Sequence, residues 1–428
     1  MKKLWCFVMT ALLLATGIFA EGGAEQASGK KTVTWWALSA GGGEGDDIRE
    51  AFRKKVIAAY EAANPNVKIE LTILDVEAFK QKIQVAMPAG DGPDIFHSWG
   101  GGVLVEFAKA GLLQDISDYA KKNFSPVIGA GALEVYSYAG KYYGAPYDLG
   151  AVGMLYNKAI FKKLGISVPQ TWPQLLDAVK KIKAAGYIPI AAAGGDKWPC
   201  MYWYTYLAMR IGGKPAFDAA YGGKGSFKDP TFVKAGEMLL ELAALEPFQP
   251  GFLSATYGEQ AALMGDGKAA MELMGQWAPS VEAGNSANGK GIGSDLGWFA
   301  FPAVPGGAGK NTDVMGGGNG YAINKDAPKE ALDFLKFFLS KEYNMELQKI
   351  EGTIPVVKGA EEALVGNEIA LAISNAVSKA AYYQLYYDQF LPASVGQAIN
   401  DASVALLART TTPAEAAAAI DKAWQSEK

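Results

Sequence analysis

Histidine and cysteine are nearly absent from this chain, whose 428 residues include one histidine, His97, and two cysteines, Cys6 and Cys200. A single histidine excludes sites built from several imidazoles, and it excludes a carboxylate–histidine relay anywhere but at His97. Cys6 lies in an N-terminal leader described below, so the remainder has one cysteine and cannot form an internal disulfide. We expect neither a metal site nor a cofactor.

Sequence motifs of catalysis are missing as well. The chain has no Gly-x-Ser-x-Gly elbow, no P-loop and no Cys-x-x-Cys pair. A glycosidase needs only two carboxylates, but nothing in the sequence singles out a pair among the 44 acidic residues. We therefore expect that the protein is not an enzyme.

Runs of basic residues are also lacking, and the formal charge is −4. This excludes an ordinary nucleic-acid partner. Half of the residues are apolar and a fifth are charged, which is typical of globular proteins, and the length suits two domains. Aromatic residues are plentiful and include ten tryptophans.

The N-terminus has the pattern of a secretory signal peptide over residues 1–20. Lys2 and Lys3 precede an apolar run that ends in small residues, with Ile18-Phe19-Ala20 or, alternatively, Ala15-Thr16-Gly17 as the cleavage site. The run is shorter than the ~20 residues that a membrane-spanning helix needs. Cys6 lies too early to carry a lipid after cleavage, so no lipobox is present. Residues 21–31 are predicted to form a flexible tail, and we expect a soluble periplasmic protein.

Strand and helix patterns alternate after residue 31. Thr32–Leu38 and Val67–Leu74 have strand character, while Asp46–Ala63 and Glu77–Met87 place apolar residues at helical spacing. The same alternation resumes beyond Gly140, with a clear amphipathic helix at Trp172–Ala185. This order predicts an α/β fold with crossover helices.

Short sequence blocks along nearly the whole chain resemble the extracellular sugar-binding proteins of ABC importers, the maltose-binding-like family. They occur in that family's order between about Val33 and Trp424. The blocks are 60–65 (YEAANP), 92–96 (GPDIF), 140–146 (GKYYGAP), 155–158 (LYNK), 168–172 (VPQTW), 267–271 (GKAAM), 275–277 (GQW), 317–323 (GGNGYAI) and 354–356 (IPV).

The resemblance implies a two-lobed periplasmic-binding-protein fold whose lobes close by a hinge on a sugar. The chain would cross between the lobes near residues 145–147, near Gly320 and near Thr353. The N-terminal lobe is then predicted from residues 32–145 and 321–352, and the C-terminal lobe from residues 146–320 and 353–428.

Sugar rings have an apolar face that aromatic side chains cover and an edge of hydroxyls that polar groups bind. Trp277, after Gly275-Gln276, matches a family position whose aromatic ring stacks on sugar. Tyr382–Asp388 is predicted to be helical or nearly so, and the sequence leaves open which of Tyr386, Tyr387 and Asp388 reaches the cleft. The predicted ligand contacts also include a set chosen for its place in loops and crossings: Trp36, Ser39, His97, Trp99, Asp148, Trp198, Gly318, Asn319 and Tyr387.

For several of these residues, a purely structural role is the alternative to ligand contact. Trp36 neighbours Trp35, and because adjacent strand residues point to opposite faces, one of them must lie in the core. His97 and Trp99 could form a packing cluster at the edge of a lobe, and Trp198 could fold onto its own lobe. Asp148 could be a solvated loop residue, and the glycines beside Asn319 could serve only a hinge.

The predicted function is to bind a mono- or oligosaccharide between the lobes and deliver it to an ABC permease in the cytoplasmic membrane. We expect a monomer with no nucleic-acid partner. The alternatives are a secreted carbohydrate-active hydrolase or lyase and a binding protein for a non-sugar solute such as an amine, which aromatic rings can also bind.

Overall fold

The computed structural model describes residues 30–39 and 44–428. The predicted signal peptide and residues 21–29 of the predicted tail lie outside the described residues. Lys31, assigned above to the tail, is the first residue of a strand. Over the described ranges, none of the helices is both long and apolar enough to cross a membrane.

Strands are numbered in chain order through the described residues. They are β1 Lys31–Leu38, β2 Val67–Leu74, β3 Ile95–Ser98, β4 Ser137–Tyr138, β5 Lys141–Tyr142, β6 Gly144–Pro146, β7 Asp148–Ala151, β8 Gly153–Asn157, β9 Ile188–Ile190, β10 Ala269–Met274, β11 Leu296–Phe299, β12 Val314–Gly317, β13 Gly320–Ile323, β14 Ile354–Pro355 and β15 Tyr383–Leu385.

Helices are numbered in the same way. They are α1 Glu44–Ala63, α2 Val76–Ala89, α3 Gly101–Lys109, α4 Ser117–Asn123, α5 Ala130–Glu134, α6 Lys158–Leu164, α7 Trp172–Ala184, α8 Trp198–Tyr221, α9 Pro230–Ala244, α10 Tyr257–Gly265, α11 Ala278–Asn285, α12 Lys329–Phe338, α13 Lys341–Glu351, α14 Glu368–Lys379, α15 Tyr387–Phe390, α16 Ala393–Leu407 and α17 Pro413–Ser426.

The first lobe is built on a five-stranded sheet in the order β2-β1-β3-β13-β6. Parallel β1, β2 and β3 are joined by the crossover helices α1 and α2, as the alternating pattern predicts. Trp35 is buried and makes edge contacts with Tyr321 and Phe334, while Trp36 lies on the opposite face of the sheet. Because β13 comes from far along the chain, this lobe is discontinuous in sequence.

The second lobe holds a four-stranded sheet in the order β11-β8-β10-β9. Every residue of β10 is buried, since helices cover both faces. Helices α8, α9, α16 and α17 pack together beside it in one apolar core. The predicted amphipathic helix is α7, and Thr171 begins it with a capping box that Gln174 completes.

The lobes are joined through a third sheet in the order β14-β7-β12-β15. Strand β7 directly follows β6, and β12 directly precedes β13; β6 and β13 both belong to the first-lobe sheet. The third crossing, predicted near Thr353, differs from expectation. After β14, Val356 and Val357 pack into the first-lobe core, and Val357 bridges to Ile128. The chain therefore leaves the first lobe later than Thr353.

Two local predictions are wrong. Residues 382–388 are not one helix: Tyr383–Leu385 forms β15, which pairs in parallel with β12, and α15 begins only at Tyr387. Trp198 is not in a loop but is the first residue of α8. Pairing with β12 decides the conformation of 383–385, and burial in the second-lobe core accompanies the helical start at Trp198.

Candidate functional site

A cleft between the two lobes spans about 960 Å³, a volume that includes space open to solvent. Chain segments that follow β1, β2 and β3 form its first-lobe wall, and segments that follow β9, β10 and β15 form its second-lobe wall. Such loop ends at the edge of α/β sheets are the usual place for a ligand. The lining residues are Leu38, Ser39, Arg49, Arg53, Asp75, Val76, Glu77, Lys80, His97, Trp99, Tyr147, Asp196, Trp198, Tyr202, Tyr257, Trp277, Asn319, Glu351, Tyr386, Asp388 and Gln389.

The second-lobe wall is a cluster of aromatic rings. The Trp198 ring centroid lies 5.2 Å from that of Tyr257, 5.6 Å from Tyr202 and 6.3 Å from Trp277. Tyr386 closes the cluster, 5.5 Å from Tyr202 and 6.4 Å from Trp277. Rings that lock one another in this way form a rigid apolar surface.

Trp277 lies between β10 and α11 and is only partly buried. Its ring lies against the backbone of Gly275, where an added Cβ would come within 2.3 Å of two ring carbons. Glycine at 275 therefore lets the indole fold flat beside the strand end. This leaves part of the Trp277 ring available to the cleft.

The first-lobe wall places His97 and Trp99 side by side, with ring centroids 4.5 Å apart. Burial and the nearby Arg53 guanidinium lower the pKa of His97 to about 3, so the imidazole is neutral at ordinary pH. Among residues 30–39 and 44–428, no partner hydrogen-bonds to its buried Nε2. His97 lines the cleft, and within those residues this buried polar atom is left without a hydrogen bond.

A polar contact holds the lobes together beside the cleft. Arg49 of α1 donates from Nη2 to Ser280 Oγ of α11, at 2.8 Å, and its Nε lies 3.6 Å from Glu351 Oε1. Arg49 and Glu351 are almost fully buried. Arg49 and Ser280 belong to different lobes, so the structure shows the lobes closed at this edge.

Tyr386, rather than Tyr387, faces the cleft. The Tyr386 hydroxyl is buried, and no hydrogen-bond partner for it occurs in the part of the chain that the structure describes. Burial raises its pKa well above the ordinary value, so it keeps its proton and can donate. Tyr387 instead stacks on Phe217, with centroids 4.7 Å apart, in the second-lobe core. We therefore replace Tyr387 with Tyr386 in the candidate set.

Asp148 lies outside the lining because the protein itself uses its carboxylate. It is fully buried and accepts from the Asn319 backbone N–H at 2.5 Å and from Asn319 Nδ2 at 2.9 Å. Burial and nearby Glu351 raise its pKa to about 7. Asp148 thus fastens the two chain crossings together and positions Asn319, which does line the cleft.

Gly318 and Trp36 also lie outside the lining. A Cβ on Gly318 would come within 2.3 Å of the Asp148 carbonyl oxygen, so the crossing backbones require glycine there for close approach. Trp36 packs on the outer side of the first sheet, with Lys82 Nζ 5.4 Å from its ring centroid. The remaining predicted contacts, Ser39, His97, Trp99, Trp198, Trp277 and Asn319, all line the cleft.

Charged residues of the cleft were missed by the sequence reasoning. Arg49 and Arg53 are four apart on α1 and share one face, a spacing that could have been noticed. Asp75 is the N-cap of α2, and Asp196 accepts a hydrogen bond from the Tyr257 backbone N–H. Nothing local marks either carboxylate as a cleft residue.

Metal-binding clusters of three or more histidine, cysteine or acidic side chains do not occur among residues 30–39 and 44–428. Cys200 is buried, and burial raises its thiol pKa to about 12, which keeps it protonated and unreactive. The cleft therefore offers stacking surfaces and hydrogen-bonding groups.

Comparison with known proteins agrees with this geometry. Residues 24–345 match the family described as bacterial extracellular solute-binding protein. The chain belongs to this family. The family's description as extracellular agrees with the predicted export, and its members are solute-binding proteins.

Individual relatives cover most of the chain. Diacetylchitobiose binding protein DasA of Streptomyces coelicolor is 28% identical over 382 residues, which are 85% of this chain and 84% of that protein. Multiple sugar-binding protein of Streptococcus mutans is 26% identical over 73% of this chain and 74% of its own. The solved structure of a chitin oligosaccharide binding protein superimposes with a TM-score of 0.85 at 26% identity, covering 93% of this chain and 98% of that one.

Proposed function

We propose that this protein binds a sugar in the cleft without chemically converting it and delivers it to an ABC permease. The observation that carries the proposal is that aromatic rings and residues with buried polar atoms, unpartnered among the described residues, line the same cleft. Trp277, Trp198 and Trp99 offer apolar faces, while His97 Nε2 and Tyr386 Oη are buried without partners among the described residues. Buried polar atoms of this kind are costly until a ligand supplies hydrogen bonds.

The same geometry explains how binding would close the lobes. His97 and Trp99 belong to the first lobe, and Trp277 and Tyr386 to the second, so one ligand touches both walls. Simultaneous contact stabilises the closed form by the differential affinity of the ligand for closed over open protein. The permease would then recognise the closed form. The names of the relatives, which include binders of several sugars and of diacetylchitobiose, support a sugar as the ligand.

Export to the periplasm as a monomer, after signal peptide cleavage, belongs to the same proposal. The basic and apolar pattern of residues 1–20 supports cleavage, and the family's extracellular description supports export.

Calorimetric titration of the purified protein tests the proposal. We expect micromolar or tighter binding of at least one sugar from a panel of glucose, xylose, N-acetylglucosamine and their short oligomers, with no product formed after long incubation. A ligand at 100 times its dissociation constant should also add about 2.7 kcal/mol of stability and raise the melting temperature. Binding of spermidine alone, or release of a hydrolysis product, would contradict it.

A further inference from the structure

Three short stretches of chain run between first-lobe elements and the third sheet, and they meet at one buried carboxylate. Tyr147 lies between β6 and β7, Asn319 between β12 and β13, and Thr353 between α13 and β14. These stretches are here called the joining segments. The carboxylate belongs to Asp148, the first residue of β7, which is fully buried and does not line the cleft.

The Asp148 carboxylate contacts the other two joining segments. Asn319 donates to it twice, from its backbone N–H at 2.5 Å and from Nδ2 at 2.9 Å. The Thr353 hydroxyl lies within hydrogen-bonding reach of this carboxylate and also of Gln348 Oε1. Because a hydroxyl has one proton to donate, Thr353 serves only one of these acceptors at a time. The charge on Asp148 therefore influences which partner Thr353 takes.

Further hydrogen bonds tie the joining segments into one unit. The Asn319 carbonyl accepts from the backbone N–H of Tyr147 at 2.8 Å and from that of Asp148 at 3.3 Å. Asn344 and Gln348 of α13 donate from their side chains to the Tyr147 carbonyl, at 2.7 and 2.9 Å. A rotation of one lobe against the other has to turn about this unit, since it contains all three joining segments.

The same unit adjoins the cleft. Tyr147, Asn319 and Glu351 line the cleft, and Glu351 contacts Arg49, which reaches Ser280 of the second lobe. A change in the hydrogen bonds of Asp148 therefore reaches the ligand through Asn319 and reaches the angle between the lobes through the joining segments.

Ionisable groups around Asp148 come from several elements. Burial and the nearby charge of Glu351 on α13 raise the pKa of Asp148 to about 7, although the hydrogen bonds from Asn319 and Thr353 lower it. Arg49 contacts Glu351, and the charge of Arg53 acts on Tyr147. The other ionisable neighbours are buried tyrosines whose raised pKa keeps each phenol protonated: Tyr136, Tyr147, Tyr383 and Tyr386.

We propose that Asp148 is the positioning residue of the hinge, so that its ionisation sets how readily the lobes close. Opening the lobes admits water to the joining segments and favours the charged carboxylate, whereas closure buries it beside Glu351 and favours the protonated form. Closure then takes up a proton, and the closed form is lost as pH rises through about 7. As far as ligand affinity is concerned, the inference rests on the sugar-binding function proposed above.

Two measurements across pH test the inference: calorimetric titration with the tightest-binding sugar of the panel above, and small-angle scattering of the ligand-free protein. Between about pH 6 and about pH 8, the wild-type affinity should fall by up to about tenfold, and the ligand-free radius of gyration should rise. Asp148→Asn keeps the shape of the side chain but has no proton to lose. Its affinity and its radius of gyration should stay flat over the same range.

Thr353→Val separates a role of ionisation from a merely structural one. Valine keeps the shape of this buried side chain and removes a hydroxyl that lowers the pKa of Asp148. The midpoint of the pH profile should therefore move to higher pH, which loss of packing alone would not produce. If Asp148→Asn fails to fold, this shift decides in its place.

Asp421→Asn is the matched control. Asp421 is also a buried aspartate that accepts from a backbone N–H and a side chain, here Phe227 at 3.0 Å and Ser226 Oγ at 2.7 Å, but all three lie within the second lobe. This variant should keep the wild-type pH profile of affinity.

The outcomes for hinge and function are distinguishable. Sugar binding whose affinity is flat across pH, or whose pH profile is unchanged in Asp148→Asn, would overturn the role of Asp148 and leave the proposed function standing. Absence of binding for every sugar of the panel would contradict the proposed function. Scattering of the ligand-free protein then decides the role of Asp148, which fails if the radius of gyration does not depend on pH or depends on it equally in Asp148→Asn.

Discussion

The second lobe lines the cleft mainly with aromatic rings, whereas the first lobe lines it mainly with charged and hydrogen-bonding groups. Trp198, Tyr257 and Trp277 lock one another into a fixed surface. Across from them, Arg49 and Lys80 of the first lobe make polar contacts with the second lobe. We infer from this difference that the second lobe supplies apolar contact area for the ligand. The first lobe supplies the polar contacts that close the lobes and orient the ligand. The predictions below test this division in order of expected effect.

Removing the central aromatic ring should have the largest effect. Trp277→Ala is expected to lower sugar affinity by about 100-fold, because stacking and apolar burial are lost together. Calorimetric titration measures the change. Trp36→Ala is the matched control, since Trp36 is a partly buried tryptophan outside the cleft. Equal losses of sugar affinity in both variants would contradict the proposed stacking of the sugar on Trp277.

Opposite pH dependences of stability should distinguish the lobes. In the second lobe, Glu272 and Glu282 are buried side by side, and burial raises the pKa of both. The folded state therefore holds protons that the unfolded chain releases, and stability is lost as pH rises above about 4.5. In the first lobe, the pKa of His97 is lowered to about 3 from 6.5. The unfolded chain then binds the extra proton, and stability is lost as pH falls from 6.5 toward 3.

Melting temperatures measured across pH check the direction of both predicted changes in stability. Glu282→Gln should flatten the decline above pH 4.5, and His97→Gln should flatten the decline below pH 6.5. Curves that stay parallel to the wild type would show that these groups do not titrate as described.

Adjacent tyrosines provide a finer test of which ring reaches the ligand. Tyr386→Phe removes one hydroxyl facing the cleft and is expected to cost about 1 kcal/mol of binding, roughly fivefold in affinity. Tyr387→Phe should leave affinity unchanged, because that ring is in the second-lobe core. Both affinities come from the same titration, and the reverse ranking would show that the assignment is inverted.

Loss of one contact between the lobes should have the smallest effect. Ser280→Ala removes the acceptor of the Arg49 hydrogen bond and is expected to weaken ligand binding by about two- to threefold, since the closed form becomes less favourable. Small-angle scattering should show a slightly larger ligand-free radius of gyration. Ser378→Ala, a change on the exposed side of α14, serves as the control.

Sequence patterns predicted the first lobe best, because its strands and helices are marked locally. β2 begins and ends where the alternation of Val67–Leu74 predicts, and α1 ends at Ala63 before Asn64-Pro65. The stretch 382–388 was misread because its three-residue strand is defined by pairing with β12 and not by its own composition.

The candidate cleft residues also differ in whether local sequence could place them. Those at strand ends, such as Ser39, His97 and Trp277, could be placed in the cleft from sequence order, since strand ends meet at one edge of a sheet. Asp148 could not, because whether a carboxylate faces ligand or protein depends on its partner, here Asn319 from 171 positions away.

The sequence by itself determined the exported α/β character of the chain, its lack of catalytic and metal motifs, and the sites where aromatic and polar residues meet at strand ends. These follow from composition, periodicity and local motifs, which act over a few residues. Only the tertiary structure decided that Tyr386 rather than Tyr387 lines the cleft and that Arg49 of α1 reaches the second lobe. Each of these depends on contacts between distant parts of the chain, and side-chain direction there is fixed by long-range burial and hydrogen bonding.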